Sequence, residues 1–334
     1  LYAFQWQTQR LPVATTEKTK WLLVSSSESD AATNTIRQLE DKGHTATHVT
    51  IPTLHEVDAT KFDGITWFLD GESEGHREDE LRAIITFVQT LLSANHRKIP
   101  CGLQLVTTKA IDASVSDTPE EVDAVQTQFW GLGRVLGAEQ PEFRCRLIDL
   151  ADDEGESVSQ LVEILITETT DNQFAIRDGQ LLVPRKQQVK TKRGEIDIEP
   201  GAFLVTGGLG MLGRQVARWL AEKGATQIVL VSRREPDEAM RQFIDSIATE
   251  DCQVTVHCAD MSSRDDVEQL FGRFGQDLQT LRGVIHAAGV LDDGLIESQT
   301  WERFQTVLAA KTVAATLLHE FTKDLDLQLF VLYS

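Results

Sequence analysis

A run of glycines in the second half of the chain has residue types and spacing suited to binding phosphate. The segment LVTGGLGMLG, residues 204–213, follows a short apolar stretch that predicts a strand and precedes a helical pattern. Glycine lets an anionic ligand approach the backbone, and a helix N-terminus supplies unpaired N–H groups. This context is the one that a dinucleotide fingerprint requires, whereas a tight turn without a ligand is the simpler alternative. The candidate cofactor-binding residues are Thr206, Gly207, Gly208, Leu209, Gly210, Met211, Leu212 and Gly213.

The ends of the following strands offer further cofactor-binding candidates. The second strand ends in Ser232, Arg233 and Arg234, where a carboxylate would instead accept the ribose hydroxyls of NAD. A hydroxyl and two guanidinium groups suit the 2′-phosphate of NADP, although arginines at a strand end are commonly just solvated. After the third and fourth strands come Asp260 and Met261, then Ala287, Ala288 and Gly289. Open α/β sheets bind ligands at this carboxyl edge, so the pattern predicts NADPH as the cofactor.

Two α/β halves must position these residues. In the first half, strands are predicted at 20–27, 44–51, 64–70 and 101–108 and at the end of 127–150, with helical patterns between them. In the second half, strands are predicted at 202–208, 227–234, 252–260, 281–289 and 327–334, and helices at 212–224, 262–275 and 300–322. The fold class is α/β, with two Rossmann-like, doubly wound parallel sheets. The polar stretch 186–200 predicts a linker between domains 1–185 and 201–334.

The composition argues against several classes of protein. The 334 residues include 32 Lys and Arg against 52 Asp and Glu, a formal net charge of −20, so most of the surface should repel nucleic-acid phosphates. No apolar run approaches the about 18 residues of a membrane-spanning helix. The four cysteines form no CxxC pair and stand beside no histidine cluster. We expect reduced core thiols, no metal site and a cytoplasmic protein.

The motifs TGGLGMLG, SRR, AD, HAAG and AAK, in this order, resemble those of a short-chain dehydrogenase/reductase. More narrowly, 205–220, 285–322 and FVLYS (330–334) resemble the ketoreductase domain of a modular type I polyketide synthase. In the first half, FWGLGRVLGAEQPEFRCRLIDL (129–150) resembles the structural subdomain of such ketoreductases. The resemblance covers essentially the whole chain. It implies that the first subdomain is a degenerate Rossmann fold without cofactor and that the second binds NADPH.

The resemblance also implies an activity and partners. The reaction would be NADPH-dependent, stereospecific reduction of a β-ketoacyl thioester, bound through phosphopantetheine to acyl carrier protein, with other polyketide synthase domains in the same polypeptide. Lys311 matches the family's catalytic lysine, and is otherwise an ordinary helix lysine. Leu291, Asp292 and Asp293 match the substrate-orienting LDD triplet of B-type ketoreductases, whose product is the D-(3R)-β-hydroxyacyl thioester. A polar loop that caps the next helix is the alternative for this triplet.

The sequence departs from the family pattern at its end. In the pattern FVLFSS the second serine is catalytic and the catalytic tyrosine follows, so both would lie beyond Ser334. Neither Tyr2 nor Tyr333 is expected to replace that tyrosine. We therefore expect the catalytic unit to be C-terminally incomplete, and an inactive structural or scaffold domain is the main alternative. A free-standing dehydrogenase of small alcohols is disfavoured, because single-domain relatives carry no equivalent of the first half.

Overall fold

Strands and helices alternate along both halves of the chain in the computed structural model. It describes residues 2–12, 17–69, 74–114, 118–152, 155–190, 194 and 196–333, with only the backbone for 74–77. The strands are β1 (Tyr2–Thr8), β2 (Lys20–Ser25), β3 (Thr45–Thr50), β4 (Gly64–Phe68), β5 (Gly102–Thr108), β6 (Arg146–Leu150), β7 (Gln173–Arg177), β8 (Gln180–Gln188), β9 (Ala202–Thr206), β10 (Gln227–Ser232), β11 (Gln253–Cys258), β12 (Leu281–His286) and β13 (Leu329–Leu332). The helices are α1 (Asp30–Asp41), α2 (Glu74–Ser93), α3 (Thr127–Glu139), α4 (Gly155–Leu165), α5 (Met211–Glu222), α6 (Glu238–Ile247), α7 (Arg264–Phe271), α8 (Trp301–Leu308) and α9 (Ala314–Thr322). A π-helical turn, Ala309–Val313, joins α8 to α9.

The chain divides into two units. Unit 1 comprises Leu1–Thr191 with Leu295–Ser298, and unit 2 comprises Lys192–Gly294 with Gln299–Ser334. The strand β8 extends to Gln188, three residues into the predicted linker, because β1 pairs with it along its length. Linker residues 191–193 and 195 lie outside the described residues, as do Leu1 and Ser334. The predicted domain limits otherwise stay a prediction.

The described strands of unit 1 form one sheet in the order β1-β8-β7-β6-β5-β4-β2-β3. From β3 to β7 the pairs are parallel, as predicted for a doubly wound fold, but β7–β8 and β8–β1 are antiparallel. The antiparallel edge was not predicted. The sequence feature that could have indicated it is the pair Asp178 and Gly179. Their positive φ angles of 47° and 68° allow a two-residue hairpin between Arg177 and Gln180.

The first strand–helix junction of unit 1 differs from a phosphate-binding loop. The Ser29 side chain accepts a hydrogen bond from Ala32 N over 3.2 Å and so caps α1. Asp30 places a carboxylate in the first turn of that helix. The cap uses a donor that a phosphate would need, and the carboxylate repels an anion. These features support the expectation that unit 1 holds no dinucleotide at this junction.

A buried ion pair lies in the core of unit 1. The Asp149 carboxylate accepts hydrogen bonds from Thr107 Oγ1 over 2.6 Å, Ala110 N over 2.8 Å and Arg177 NH2 over 2.6 Å. Arg177 also donates to Glu120 over 2.8 Å. Burial alone would lower the pKa of Arg177, but the hydrogen bonds to Asp149 and Glu120 outweigh it and raise that pKa. The network joins β5, β6 and β7 at one edge.

Unit 2 contains one parallel sheet in the order β11-β10-β9-β12-β13. Alternate residues of each strand face opposite sides, so Phe203 packs in a core with α5 and α6 while Leu204 packs in a second core with α7 and α9. The strand order reverses between β9 and β12. At such a reversal the two loops diverge to opposite faces and leave a crevice at the carboxyl edge.

The cysteines are free thiols, but they are not all core residues. Cys145 and Cys252 are buried and Cys101 is partly buried. The prediction of a core thiol was wrong for Cys258, which is exposed at the end of the edge strand β11 and donates to Glu235 over 3.2 Å. An edge strand has a neighbour on one side only, so its last residue stays open to water.

Candidate functional site

The glycine loop connects β9 to α5 through close backbone packing. Gly207 has a φ of +65°, and a Cβ added there would lie 2.7 Å from Ala288 N. A Cβ on Gly213 would lie 2.4 Å from the Gly207 carbonyl oxygen. Both positions therefore require glycine: one lets the loop contact the β12 end, and the other lets the loop fold onto α5.

The N-terminus of α5 has open donors at the end of this loop. Gly210 is the N-cap residue and no side chain caps the helix. A Cβ on Gly210 would meet only the Gly207 carbonyl oxygen within 4 Å, at 3.2 Å. Unpaired first-turn N–H groups and the helix dipole favour an anion there. This arrangement fits the pyrophosphate of a dinucleotide, in contrast to the capped start of α1.

A cavity of about 330 Å³ lies at the carboxyl edge of the unit 2 sheet. Twelve sequence-predicted residues line it: Thr206, Gly207, Leu209, Gly210, Ser232, Arg233, Arg234, Asp260, Met261, Ala287, Ala288 and Gly289. Of these, Met261 belongs to the core, because its side chain is only 6% exposed. Eight further lining residues were not among the predicted site residues: Val231, Ala259, Ser262 and Val290 near the strand ends, and Thr306, Ala309, Ala310 and Ala314 on the helical segment. For the helical segment, the run of small residues in the sequence could have indicated room for a ligand.

Four predicted cofactor residues do not line this cavity. Gly208 and Gly213 serve backbone packing, since a Cβ at either would clash with atoms closer than 3 Å. Met211 is 78% exposed at the start of α5. Leu212 instead lines a separate apolar groove of unit 2 that also involves Trp219 and Val331. The helical turn rotates consecutive side chains by about 100°, so neighbours of the loop residues face away from it.

The second and third strand ends place charged groups at the cavity. Arg233 and Arg234 are exposed, and the Ser232 hydroxyl accepts from Arg234 N over 3.2 Å. The Asp260 carboxylate accepts from Ser262 N over 2.9 Å and Ser262 Oγ over 2.7 Å. The hydrogen bonds from Ser262 lower the pKa of Asp260, and the charge of Arg233 lowers it further. Asp260 is therefore anionic at neutral pH, and the two guanidinium groups remain available to a phosphate.

A buried histidine, which was not among the predicted site residues, joins three elements behind the cavity. His286, the last residue of β12, is 1% exposed. Its Nδ1 lies 2.6 Å from Thr206 Oγ1, and its Nε2 lies 3.0 Å from the Ala310 carbonyl oxygen in the π turn. Burial lowers the pKa of His286 and the charge of Lys311 lowers it further, against an opposing hydrogen bond to Ala310.

Lys311 lies beside the cavity on the π turn. Its Nζ donates to the Tyr333 carbonyl oxygen over 2.7 Å. Its side chain covers Gly289, where an added Cβ would lie 2.8 Å from Lys311 Cε. Lys311 does not itself line the cavity, whereas its neighbours Ala309 and Ala310 do. The tertiary structure therefore brings the predicted lysine next to the predicted β12 loop.

The LDD triplet lies in a loop held by α8. Leu291 is 88% exposed, and Asp293 is exposed as well. Arg303 Nε donates to Asp292 Oδ1 over 2.7 Å, and this hydrogen bond lowers the pKa of Asp292. Gln299 Nε2 donates to the Asp292 carbonyl oxygen over 3.2 Å. The Asp292 carboxylate thus binds Arg303 of α8, while the Leu291 side chain faces solvent.

A metal site and a membrane-spanning helix would each require a recognisable set of residues. No group of three or more His, Cys, Asp or Glu side chains in the part of the chain that the structure describes could hold a metal ion. Among the same residues, no helix combines the length and the apolar character needed to cross a membrane.

Known proteins match both units. The KR domain family matches residues 201–334, and the family described as "Polyketide synthase extender module SpnB, Rossmann fold domain" matches residues 4–185. The polyketide synthase GfsA of Streptomyces halstedii is 31% identical over 363 residues, which cover 100% of this chain and 5% of GfsA. The pikromycin polyketide synthase component PikAIII of Streptomyces venezuelae is 32% identical over 261 residues, covering 77% of this chain and 16% of that protein. The chain thus spans a small part of these relatives.

Solved structures match the whole chain. A structure titled "Structure of A-type Ketoreductases from Modular Polyketide Synthase" has a TM-score of 0.82 and 27% identity, covering 100% of this chain and 74% of that one. The first ketoreductase of the tylosin polyketide synthase has a TM-score of 0.81 and 25% identity, covering 100% of this chain and 72% of that one. Unit 2 contains a cavity whose lining suits a dinucleotide cofactor, and the family matches extend across both units. The chain therefore belongs to the ketoreductase domain family of polyketide synthases.

Proposed function

We propose that this chain binds NADPH and takes part in reducing a β-ketoacyl thioester on acyl carrier protein to the D-(3R)-β-hydroxyacyl thioester. One observation carries the proposal: the glycine loop, Arg233 and Arg234, and the turn bearing Lys311 meet at one sheet edge. Other polyketide synthase domains in the same polypeptide would supply the acyl carrier protein. A cytoplasmic location is part of the proposal, because free thiols suit a reducing compartment.

The residues present fit NADPH rather than NADH. The open N-terminus of α5 and the Cβ-free surface at Gly210 suit a pyrophosphate. Arg233 and Arg234 suit the 2′-phosphate, since guanidinium forks bind phosphate oxygens in pairs. The residues directly after Ser232 are these two arginines, where a carboxylate would accept the ribose hydroxyls of NAD and repel that phosphate.

The chemistry divides between cofactor and chain. When bound, the nicotinamide supplies the hydride. Lys311, whose ammonium is held by the Tyr333 carbonyl beside Gly289, places positive charge where an alkoxide would develop. The proposed D-(3R) outcome rests on Leu291, Asp292 and Asp293, because a rigid loop that presents Leu291 can restrict how an acyl chain enters.

An inactive structural domain is the second candidate, and it turns on whether a proton donor reaches the substrate. The sequence contains two tyrosines. Tyr2 lies on β1 of unit 1, and Tyr333 contacts Lys311 through its backbone carbonyl. Neither of these two hydroxyls makes a hydrogen bond within the described residues, so neither Tyr2 nor Tyr333 is proposed as the proton donor that ketone reduction needs.

One experiment separates the candidates. NADPH and NADH are titrated separately onto the chain with cofactor fluorescence as the signal, and a β-ketoacyl thioester is then added, with chiral analysis of any alcohol. We expect NADPH to bind at least about tenfold more tightly than NADH, a difference of about 1.4 kcal/mol. Turnover to the D-alcohol supports the full proposal, and an L-alcohol rejects the stereochemical part. Binding without turnover supports the inactive domain, and absence of binding rejects the cofactor assignment.

A further inference from the structure

The hydrogen bonds around His286 have one consistent direction. The Ala310 carbonyl can only accept, so the proton of a neutral imidazole must lie on Nε2. The Nδ1 atom then accepts from the Thr206 hydroxyl over 2.6 Å. Thr206 Oγ1 in turn accepts from Ala288 N over 3.3 Å. Each polar atom in this series of hydrogen bonds has a partner, which is the condition for burying such groups at low cost.

These hydrogen bonds connect the end of β9, the end of β12 and the π turn, three elements that border the site. Thr206 immediately precedes Gly207 of the glycine loop, and it pairs with His286 across the parallel strands β9 and β12. Ala310 immediately precedes Lys311. The π turn is an uncommon helical geometry, marked here by the bond from Ala314 N to the Ala309 carbonyl. The His286 ring therefore connects the loop proposed to bind phosphate with the turn that carries the proposed catalytic lysine.

We propose that His286 is a positioning residue for Lys311: it ties the π turn to the end of β9 and so places Lys311 over Gly289. The inference rests on the proposed function, because that function gives Lys311 its role. Burial of the ring at 1% exposure makes the link stiff, since it shields both hydrogen bonds from competition by solvent. A histidine that only filled space would not need both nitrogens bonded to different elements.

Amide hydrogen exchange in the ligand-free chain tests this inference without any turnover. His286→Phe keeps a ring but removes both hydrogen bonds, and His286→Gln retains one donor and one acceptor. His257→Phe is the matched control, because His257 lies on β11 of the same sheet and contacts Arg273 over 2.8 Å. We expect exchange in 309–314 to accelerate about tenfold in His286→Phe, equivalent to about 1.4 kcal/mol, and to recover partly in His286→Gln. Exchange in α6 should not change in any variant.

The outcomes are distinguishable. Unchanged exchange at 309–314, or equal acceleration across all of unit 2, would overturn the positioning role in favour of a general packing role. If His286→Phe does not fold, ¹⁵N NMR of the unaltered chain decides: a neutral ring protonated on Nε2 is expected, and protonation on Nδ1 would overturn the proposal. Failure of the proposed function shows separately, as absence of NADPH binding, while the exchange result still reports on the link.

Discussion

Arg303 Nε lies 2.7 Å from Asp292 Oδ1, and Arg303 NH2 lies 2.8 Å from the Asp293 carbonyl oxygen. One guanidinium from α8 therefore holds both the side chain and the backbone of the LDD loop. The carboxylate of Asp292 is committed to this contact, which leaves Leu291 as the triplet residue presented outward. In this arrangement the Asp292 carboxylate contributes to the geometry of the loop.

Replacing Arg303 by Met should loosen this loop more than it destabilises the fold. We expect faster proteolytic cleavage within 290–294, and a smaller D-alcohol excess if the chain turns over. The free energy of unfolding should change little, because the pair is solvated. Arg264→Met is the control, since Arg264 pairs with Glu320 on another surface. Unchanged cleavage in Arg303→Met would contradict the role given to this contact.

Replacing Gly213 by Ala should disrupt the glycine loop. The added Cβ would lie 2.4 Å from the Gly207 carbonyl oxygen and 2.7 Å from Gly208 Cα, and these backbone atoms limit relaxation. We expect a loss of about 1–3 kcal/mol in stability and weaker NADPH binding, measured by urea unfolding and cofactor fluorescence. Gly131→Ala is the matched control, because Gly131 lies in α3 with nothing within 4 Å of its added Cβ. That control should be neutral or stabilising.

Replacing Arg233 and Arg234 together by Ala should change cofactor preference. Loss of two charged donors should weaken NADPH binding by about ten- to a hundredfold and leave NADH binding nearly unchanged. Arg241→Ala, on the exposed surface of α6, should affect neither. Equal weakening of both cofactors would show that these arginines do not read the 2′-phosphate.

Unit 2 should lose stability as the pH falls below about 6.5. Burial lowers the pKa of His286, and the positive charge of Lys311 lowers it further. Burial also lowers the pKa of His257, with a smaller contribution from the positive charge of Arg273. The unfolded chain then binds protons before the folded chain does, so the contribution is complete above the unfolded pKa of about 6.5 and is lost as the pH falls through the folded values. The hydrogen bonds from Ser262 lower the pKa of Asp260 from its ordinary value, so this carboxyl does not interfere.

Urea unfolding between pH 7 and pH 5, followed by amide exchange in unit 2, measures this effect. The His286→Gln variant should show a shallower dependence, because it removes one of the two histidines whose pKa is lowered. A stability of unit 2 that does not vary over this range would refute the prediction.

Breaking the buried ion pair of unit 1 should cost more than any surface change. Asp149→Asn removes the charge that balances Arg177, and we expect a loss of about 3–5 kcal/mol in urea unfolding. Lys42→Met serves as the comparison, because Lys42 pairs with Glu163 at half-exposed positions and should cost less than about 1 kcal/mol. A loss in Asp149→Asn no greater than in Lys42→Met would show that the network is not important for the fold.

Local patterns in the sequence determined most of the elements and the location of the cofactor cavity. Apolar periodicity placed the strands of unit 2 and its helices other than α6 to within a few residues, and glycine spacing placed the loop after β9, because both depend on the local conformation of neighbouring residues. The helix α6 was not predicted. Long-range pairing decided the rest. The antiparallel β1 and β8, the burial of Met261 and the orientation of Leu212 away from the cavity depend on which distant segments pack together. The His286 link to Ala310 and the Arg303 contact with Asp292 join residues 24 and 11 positions apart, so only the folded chain brings them within hydrogen-bond distance.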